Sequence, residues 1–148
     1  MTTVQLYDTD FYAWTQEQAS LLGQEKFEYL DLNNLIEEIE DMGKSQQRQL
    51  ESRFAVLIAH LLKWEFQPNK RSRSWQATIR VQRIQLRKLL KQNLSMRTQV
   101  DQAIAETYEE ALNLAWSETG LDFAAFPPTC PYTSQQILDE AFFVENNV

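Results

Sequence analysis

An apolar segment near the middle of the chain, FAVLIAHLLKWEF at residues 54–66, leaves few options for the fold. With about 100° between successive residues of a helix, its apolar side chains cover one broad face and most of the remaining surface. A helix that is apolar on almost every side must be surrounded by other elements. A membrane span needs about 20 apolar residues, and this run is interrupted by His60 and Lys63. We therefore expect a central helix in a soluble protein, with no membrane partner.

The rest of the chain also favours helices. Its 148 residues include only three glycines and four prolines, and no segment alternates apolar and polar residues as a half-buried strand does. The length suits one domain with a sizeable core. We predict an all-α, single-domain fold over residues 1–148: a bundle of four to five helices around the central helix, which spans about residues 44–66. An irregular C-terminal strap and a short last helix complete this prediction.

A first helix is predicted near the N-terminus. Apolar residues at helical spacing place it from about Asp10 to Leu22. Asp8 or Thr9 is the expected N-cap, because their side-chain oxygens can accept the free N–H groups of the first turn. Gly23 is expected in the left-handed conformation that often ends a helix.

The second helix carries an apolar stripe and raises a question of continuity. Asp31 suits its N-cap, and Gly43 suits its end. The stripe nevertheless continues in phase as far as Phe54, and glycine inside a helix costs only about 1 kcal/mol. One long helix through Gly43 and two separate helices are therefore equally good predictions. Before Gly43, the stripe consists of Leu32, Leu35, Ile36, Ile39 and Met42.

Two long helices and a short one are predicted after the central helix. The fourth runs from about Trp75 to Gln92, with Ser72 or Ser74 as its cap, and the fifth begins after Ser95 and ends near Gly120. The sequence TSQQ at residues 133–136 matches the reciprocal capping pattern of a last helix near residues 134–143.

The charges are distributed in blocks. Residues 1–65 hold 12 acids and 5 bases, residues 66–100 hold 9 bases and no acid, and residues 101–148 hold 9 acids and no base. Three explanations stay open for the basic block: pairing with the acidic blocks inside the fold, binding of a protein partner, and binding of nucleic acid. An exposed Trp75 could stack on a base, but a pI near 4.7 is unusual for a nucleic-acid binder.

The basic block is the strongest chemical signal in the sequence. On the wheel, its side chains on the fourth helix lie opposite the apolar arc, and Ile84 lies among them with Val81 beside it. A face that only meets water does not need these apolar residues, so we expect a protein partner or self-association here. The candidate partner-binding residues are Arg71, Arg73, Arg80, Arg83, Ile84, Arg87 and Lys91.

A metal site is the alternative prediction. His60 is the only histidine, and Glu38 and Glu110 also fall at the margins of apolar stripes. One imidazole with two carboxylates could hold a divalent metal such as Mn or Fe, which would make the protein a small metal-dependent enzyme or sensor. Bundles with carboxylate metal sites use paired Glu-x-x-His units, and this sequence has none. A His60 that bonds a neighbouring helix explains its position without a metal, and no other cofactor is expected.

Standard catalytic motifs are absent. The sequence has no glycine-rich phosphate loop, no GxSxG and no histidine pair at metal spacing, so an enzyme is the less favoured class. Cys130 is the only cysteine and is predicted to be a partly buried thiol rather than a nucleophile. The first residues lack the basic region and apolar core of a signal peptide, so we expect a cytoplasmic location.

Several segments in a fixed order resemble one known family. They are YDTDFYAWTQEQASLL, NLIEEIEDMGKSQQRQLESR, LIAHLLKW, RSRSWQATI and the ending AETYEEA…ETGLDFAAFPPTCPYTSQQILD. Together they resemble the bacterial family known as domain of unknown function number 29, from about Tyr7 to Asp139. The resemblance implies an all-helical protein and carries no assigned activity and no catalytic residue.

Overall fold

A computed structural model describes the backbone of residues 3–143 and the side chains of residues 6–143. The described chain is all-α, as predicted, and contains no strand. Short 3-10 turns connect the helices. The helices are α1 Thr3–Thr9, α2 Phe11–Gly23, α3 Leu32–Phe66, α4 Arg73–Gln92, α5 Val100–Thr119 and α6 Ser134–Leu138.

The chain forms two compact units, an N-terminal unit of Met1–Ser45 and a C-terminal unit of Gln46–Val148. The boundary falls within α3, which is one continuous helix of 35 residues. Gly43 therefore lies inside a helix, and the long-helix alternative is confirmed. The prediction of one domain over residues 1–148 stays a prediction.

The N-terminal unit contains α1, α2 and the first part of α3. Asp10 caps α2, because its carboxylate accepts a hydrogen bond from the Ala13 N–H at 3.1 Å. The prediction of Asp8 or Thr9 as the cap is wrong, since both residues belong to α1, which the sequence analysis missed. The left-handed conformation predicted for Gly23 is also wrong: Gly23 is the last residue of α2, and Glu25 takes the positive φ of 57°.

Very few side chains are buried in the N-terminal unit. Within residues 6–45, these are Trp14 and Gln18. The Trp14 indole donates to the Asp31 carboxylate at 3.1 Å, and the Gln18 side-chain oxygen accepts from the Asp31 N–H at 2.9 Å. The Tyr7 ring packs edge-on against Trp14, with centroids 4.8 Å apart. Asp31 thus fixes the start of α3 to the buried side of α2.

The C-terminal unit contains the hydrophobic core, which is built on the second half of α3. Residues such as Phe54, Leu57, Ile58 and Leu61 are completely buried, as the central-helix prediction requires. Lys63, which interrupts the apolar run, is also buried; its ammonium group pairs with Glu118 and lies over the Trp75 ring. Small residues of α5 complete the contact with the core: Ala103, Thr107, Ala111 and Ala115.

The C-terminal strap closes the core, as predicted. Tyr132 is buried, and its hydroxyl donates to the Leu61 carbonyl at 3.2 Å and to the Glu65 carboxylate at 2.7 Å. The Tyr108 hydroxyl of α5 donates to the Pro127 carbonyl at 2.7 Å. Ile137 of α6 is fully buried. Two tyrosine hydroxyls therefore tie the strap to the helices beneath it.

Local capping explains the remaining helix boundaries. Ser72 caps α4, and α5 ends at Thr119, next to Gly120, as predicted. Gly120 takes the left-handed conformation, with φ of 72°. Thr133 and Gln136 form the predicted capping box of α6. This helix ends at Leu138 rather than near residue 143, since turns follow it. A 3-10 segment at Leu94–Gln99 delays the start of α5 to Val100.

Candidate interaction surface

One side of α4 meets the core and fixes the orientation of the helix. Ile79, Leu86, Leu89 and Leu90 are buried on this side. The other side is exposed. The buried side therefore determines which side chains of α4 face the solvent.

The exposed side of α4 combines cations with apolar side chains, and we call it the basic face. Ile84 is 53% exposed at its centre, and Val81, which is 49% exposed, lies at its margin. On a wheel of about 100° per residue, the other members lie within about 60° of Ile84. No acidic residue occurs anywhere in α4. The basic face consists of Arg73, Ala77, Arg80, Val81, Ile84, Arg87, Lys88 and Lys91.

Internal ion pairing accounts for little of this charge. Within the described part of the C-terminal unit, one member of the basic face has an acidic partner: Arg87, which lies 3.5 Å from the Glu140 carboxylate. Both side chains of that pair are largely exposed, so the pair contributes little stability. The other cations of the face remain available to a partner.

Arg83 does not belong to the basic face. The prediction that it lies opposite the core is wrong, because it is only 1% exposed. Its Nε donates to the Ile137 carbonyl at 2.8 Å and one Nη donates to the Gln136 carbonyl at 3.3 Å. Burial lowers the pKa of Arg83 to about 10; Arg87 also lowers it, whereas Asp139 and Glu140 raise it. Arg83 thus holds the end of α6 against α4 as a buried cation.

Arg71 is also engaged within its own unit. Its Nε donates to the Trp64 carbonyl at 2.8 Å, and its guanidinium lies 4.9 Å from the Trp64 ring centroid. Trp75 is half-buried, and the Lys63 ammonium group lies over one face of its ring, 4.8 Å from the centroid. Lys88 was absent from the predicted set, although it lies one turn after Ile84 and helical spacing alone could have included it.

A groove continues the basic face towards α5 and α6. It has a volume of about 730 Å³. Its apolar side chains are Leu90, Val100 and Leu138, and Arg97 joins the cations at its rim. Arg87 and Lys91 belong to both the groove and the face, so the two form one continuous surface.

A second exposed apolar surface lies on the first part of α3, and we call it the acidic face. It consists of Leu32, Ile36, Ile39 and Met42, which are 53–62% exposed, with Glu40 beside them. This stripe was predicted from the sequence. As part of a helical bundle, it was expected to be covered by neighbouring helices. In the N-terminal unit as described, the stripe is open.

The residues of the metal prediction have other partners. His60 is half-buried, and its Nδ1 donates to the Val56 carbonyl of its own helix at 2.8 Å. The Glu38 carboxylate accepts a hydrogen bond from the Tyr7 hydroxyl, and Glu110 is exposed on α5. Among the described residues, no three His, Cys, Asp or Glu side chains form a group suited to a metal ion. The metal site stays a prediction without geometric support.

Cys130 lines a separate groove beside Tyr108 and Tyr132 and is half-buried, as predicted. Burial raises the pKa of its thiol above the ordinary value of 9.0. The thiolate is the nucleophilic form of cysteine, so this environment does not suit nucleophilic catalysis.

The fold and these surfaces define a small all-helical protein with two exposed surfaces that carry apolar side chains, one of them surrounded by cations. A family model, Domain of unknown function DUF29, matches residues 6–143. The chain therefore belongs to this family, as the sequence resemblance implied. No match was found among curated proteins or among solved structures. None of the helices in the described residues combines the length and apolarity of a membrane span.

Proposed function

We propose that this protein is an interaction module that binds a protein partner through the basic face of α4. The supporting observation is the exposure of Ile84 at the centre of a cationic surface, with Val81 also exposed at its margin. We further propose that it acts in the bacterial cytoplasm, since the family it resembles is bacterial.

The composition of the basic face favours a protein over nucleic acid. Because Ile84 is 53% exposed, covering the rest of its side chain stabilises a complex by roughly 1–1.5 kcal/mol, and a phosphate group offers no apolar surface to cover it. The cations around Ile84 would steer an acidic partner and fix its register. The net charge of −7 opposes the approach of a polyanion to the molecule as a whole. The partner should therefore present an apolar centre with acids around it.

Site-specific photo-crosslinking tests this proposal. A photoreactive phenylalanine analogue replaces Ile84 in the full chain, and the same analogue replaces Leu94 in a matched control. Leu94 is a 63% exposed apolar residue outside the basic face. Crosslinking is carried out in cells that produce the chain, and the products are identified by mass spectrometry.

We expect a protein adduct at position 84 that is absent at position 94. The adduct should disappear when Arg80, Arg87 and Lys88 are changed to Glu. The circular dichroism of that variant should show the same helical content as the wild type. Nuclease-sensitive adducts at position 84 would replace the proposal with nucleic-acid binding. Equal labelling at both positions, or none, would contradict a specific interaction at this face.

A further inference from the structure

The N-terminal unit buries few side chains and leaves several large apolar side chains exposed. Only Trp14 and Gln18 are buried within residues 6–45, whereas each of the four apolar side chains of the acidic face is more than half exposed. A contiguous apolar stripe of this kind typically marks an interaction site. The acidic face therefore needs an occupant, as the basic face does.

Charge identifies the chemistry of that occupant. Residues 1–45 contain ten acids and two bases, so the unit that carries the stripe has a net charge of −8. On a wheel of about 100° per residue, Glu38 and Glu40 flank the stripe on its two sides, whereas Glu37 and Asp41 lie on the opposite side of α3. The occupant should therefore be a cationic surface with an apolar centre. The basic face of α4 is such a surface, since its five exposed cations lie around Ile84.

The two faces also match in spacing. On α3, Leu32, Ile36 and Ile39 follow one another at intervals of four and three residues. On α4, Ala77, Val81 and Ile84 follow the same intervals. Both runs cover 7 residue steps, or about 10 Å of helix. Two helices with this repeat can interdigitate along a common line of contact.

Like faces would repel each other. Pairing α4 with α4 would bring five cations against five cations, and pairing α3 with α3 would bring together two units that each carry a net charge of −8. We infer that the partner of the basic face is a second copy of this chain, which binds through the acidic face of its α3. This inference rests on the proposed function and names its partner.

Self-association of the purified full chain tests this inference. Sedimentation velocity over a range of concentrations should show a reversible oligomer, and added salt should weaken it because the contact is partly electrostatic. Ile39→Lys places a cation on the acidic face, and Ile84→Glu places an acid on the basic face. Each substitution alone should weaken self-association by at least about tenfold. Leu94→Glu is the matched control and should have no effect.

Mixing the two variants separates this contact from other modes of assembly. The Ile39→Lys chain keeps an intact basic face, and the Ile84→Glu chain keeps an intact acidic face. An equimolar mixture should therefore form a complex that neither variant forms alone. The double variant Ile39→Lys, Ile84→Glu should stay monomeric.

Several results would overturn the inference. A wild-type chain that is monomeric at every soluble concentration excludes it. If the Ile84→Glu chain associates normally and the Ile39→Lys chain does not, the contact joins two acidic faces instead. Circular dichroism must show that each variant keeps its helices. If crosslinking at position 84 captures a different protein, the self-association inference fails while the proposed interaction function stands.

Discussion

Arg83 shows that the role of a residue can depend on contacts far away in the sequence. Its wheel position beside the cations of α4 led to its placement on the basic face. The carbonyl groups of Gln136 and Ile137, more than 50 residues later, instead bind its guanidinium in the interior. Periodicity within one helix contains no information about such a contact, so the sequence could not predict it.

Removing the Arg83 side chain should destabilise the fold. Arg83→Ala leaves two carbonyl groups of α6 without their cationic donor and creates a cavity, so we expect the free energy of unfolding to fall by about 2–4 kcal/mol. Urea denaturation followed by circular dichroism measures this change. Arg80→Ala, an exposed arginine on the same helix, is the matched control and should change stability by less than about 0.5 kcal/mol. Equal effects of the two substitutions would contradict the assigned role of Arg83.

His60 should make stability fall in mild acid. Burial lowers its pKa below the ordinary 6.5, and nearby Lys63 also lowers it, whereas the Val56 carbonyl and Glu118 raise it. The unfolded chain therefore binds a proton at a higher pH than the folded chain does. This contribution to stability is complete above pH 6.5 and is lost as the pH falls through the lower folded pKa.

His60→Gln should reduce that pH dependence. Glutamine can still donate to the Val56 carbonyl but does not titrate. We expect the urea midpoint of the variant to decline less than that of the wild type between neutral pH and about pH 5. Identical pH profiles would show that His60 does not contribute. Metal content measured on both proteins also tests the metal prediction.

At the scale of elements, boundaries were predictable where a local cap defines them. Ser72, Gly120 and the pair Thr133–Gln136 act within one turn of their own helix, so the sequence identifies them directly. The continuity of α3 was not predictable in this way, because glycine is compatible with both outcomes. The exposure of the acidic face was not predictable either, since periodicity reveals an apolar face but not what covers it.

Alanine at two glycines should have opposite effects on the helices. A Cβ atom at Gly43 or at Gly120 would meet no atom within 4 Å, so the two sites differ in backbone conformation rather than in space. Gly43→Ala should stabilise α3 locally by about 0.5–1 kcal/mol, because Gly43 is helical. Gly120→Ala should destabilise the end of α5 by about 1 kcal/mol, because its φ is 72°.

Amide hydrogen exchange near each glycine checks both effects. Protection of the amides at residues 40–47 should increase in Gly43→Ala, and protection of the amides at residues 116–121 should decrease in Gly120→Ala. Faster exchange around residue 43 in the first variant would mean that α3 needs a glycine there, contrary to a regular continuous helix.

At the scale of the whole molecule, the two units differ in how much apolar surface they bury. The core cluster lies entirely within the C-terminal unit, from Leu50 to Ile137. Local stability follows buried apolar contacts, so the two parts of α3 should open with different free energies although they belong to one helix.

Exchange along α3 should therefore report both the units and the assembly. In dilute protein, amides at residues 35–42 should exchange faster than amides at residues 54–62, because the latter belong to the core. Raising the protein concentration should slow exchange at residues 35–42, since binding to a second copy stabilises the bound state by mass action. The Ile84→Glu chain has a normal acidic face, but the basic face that would bind it is disrupted in every copy. This concentration dependence should therefore disappear in Ile84→Glu. Uniform exchange along α3 at every concentration would contradict both the unequal stability of the units and their proposed assembly.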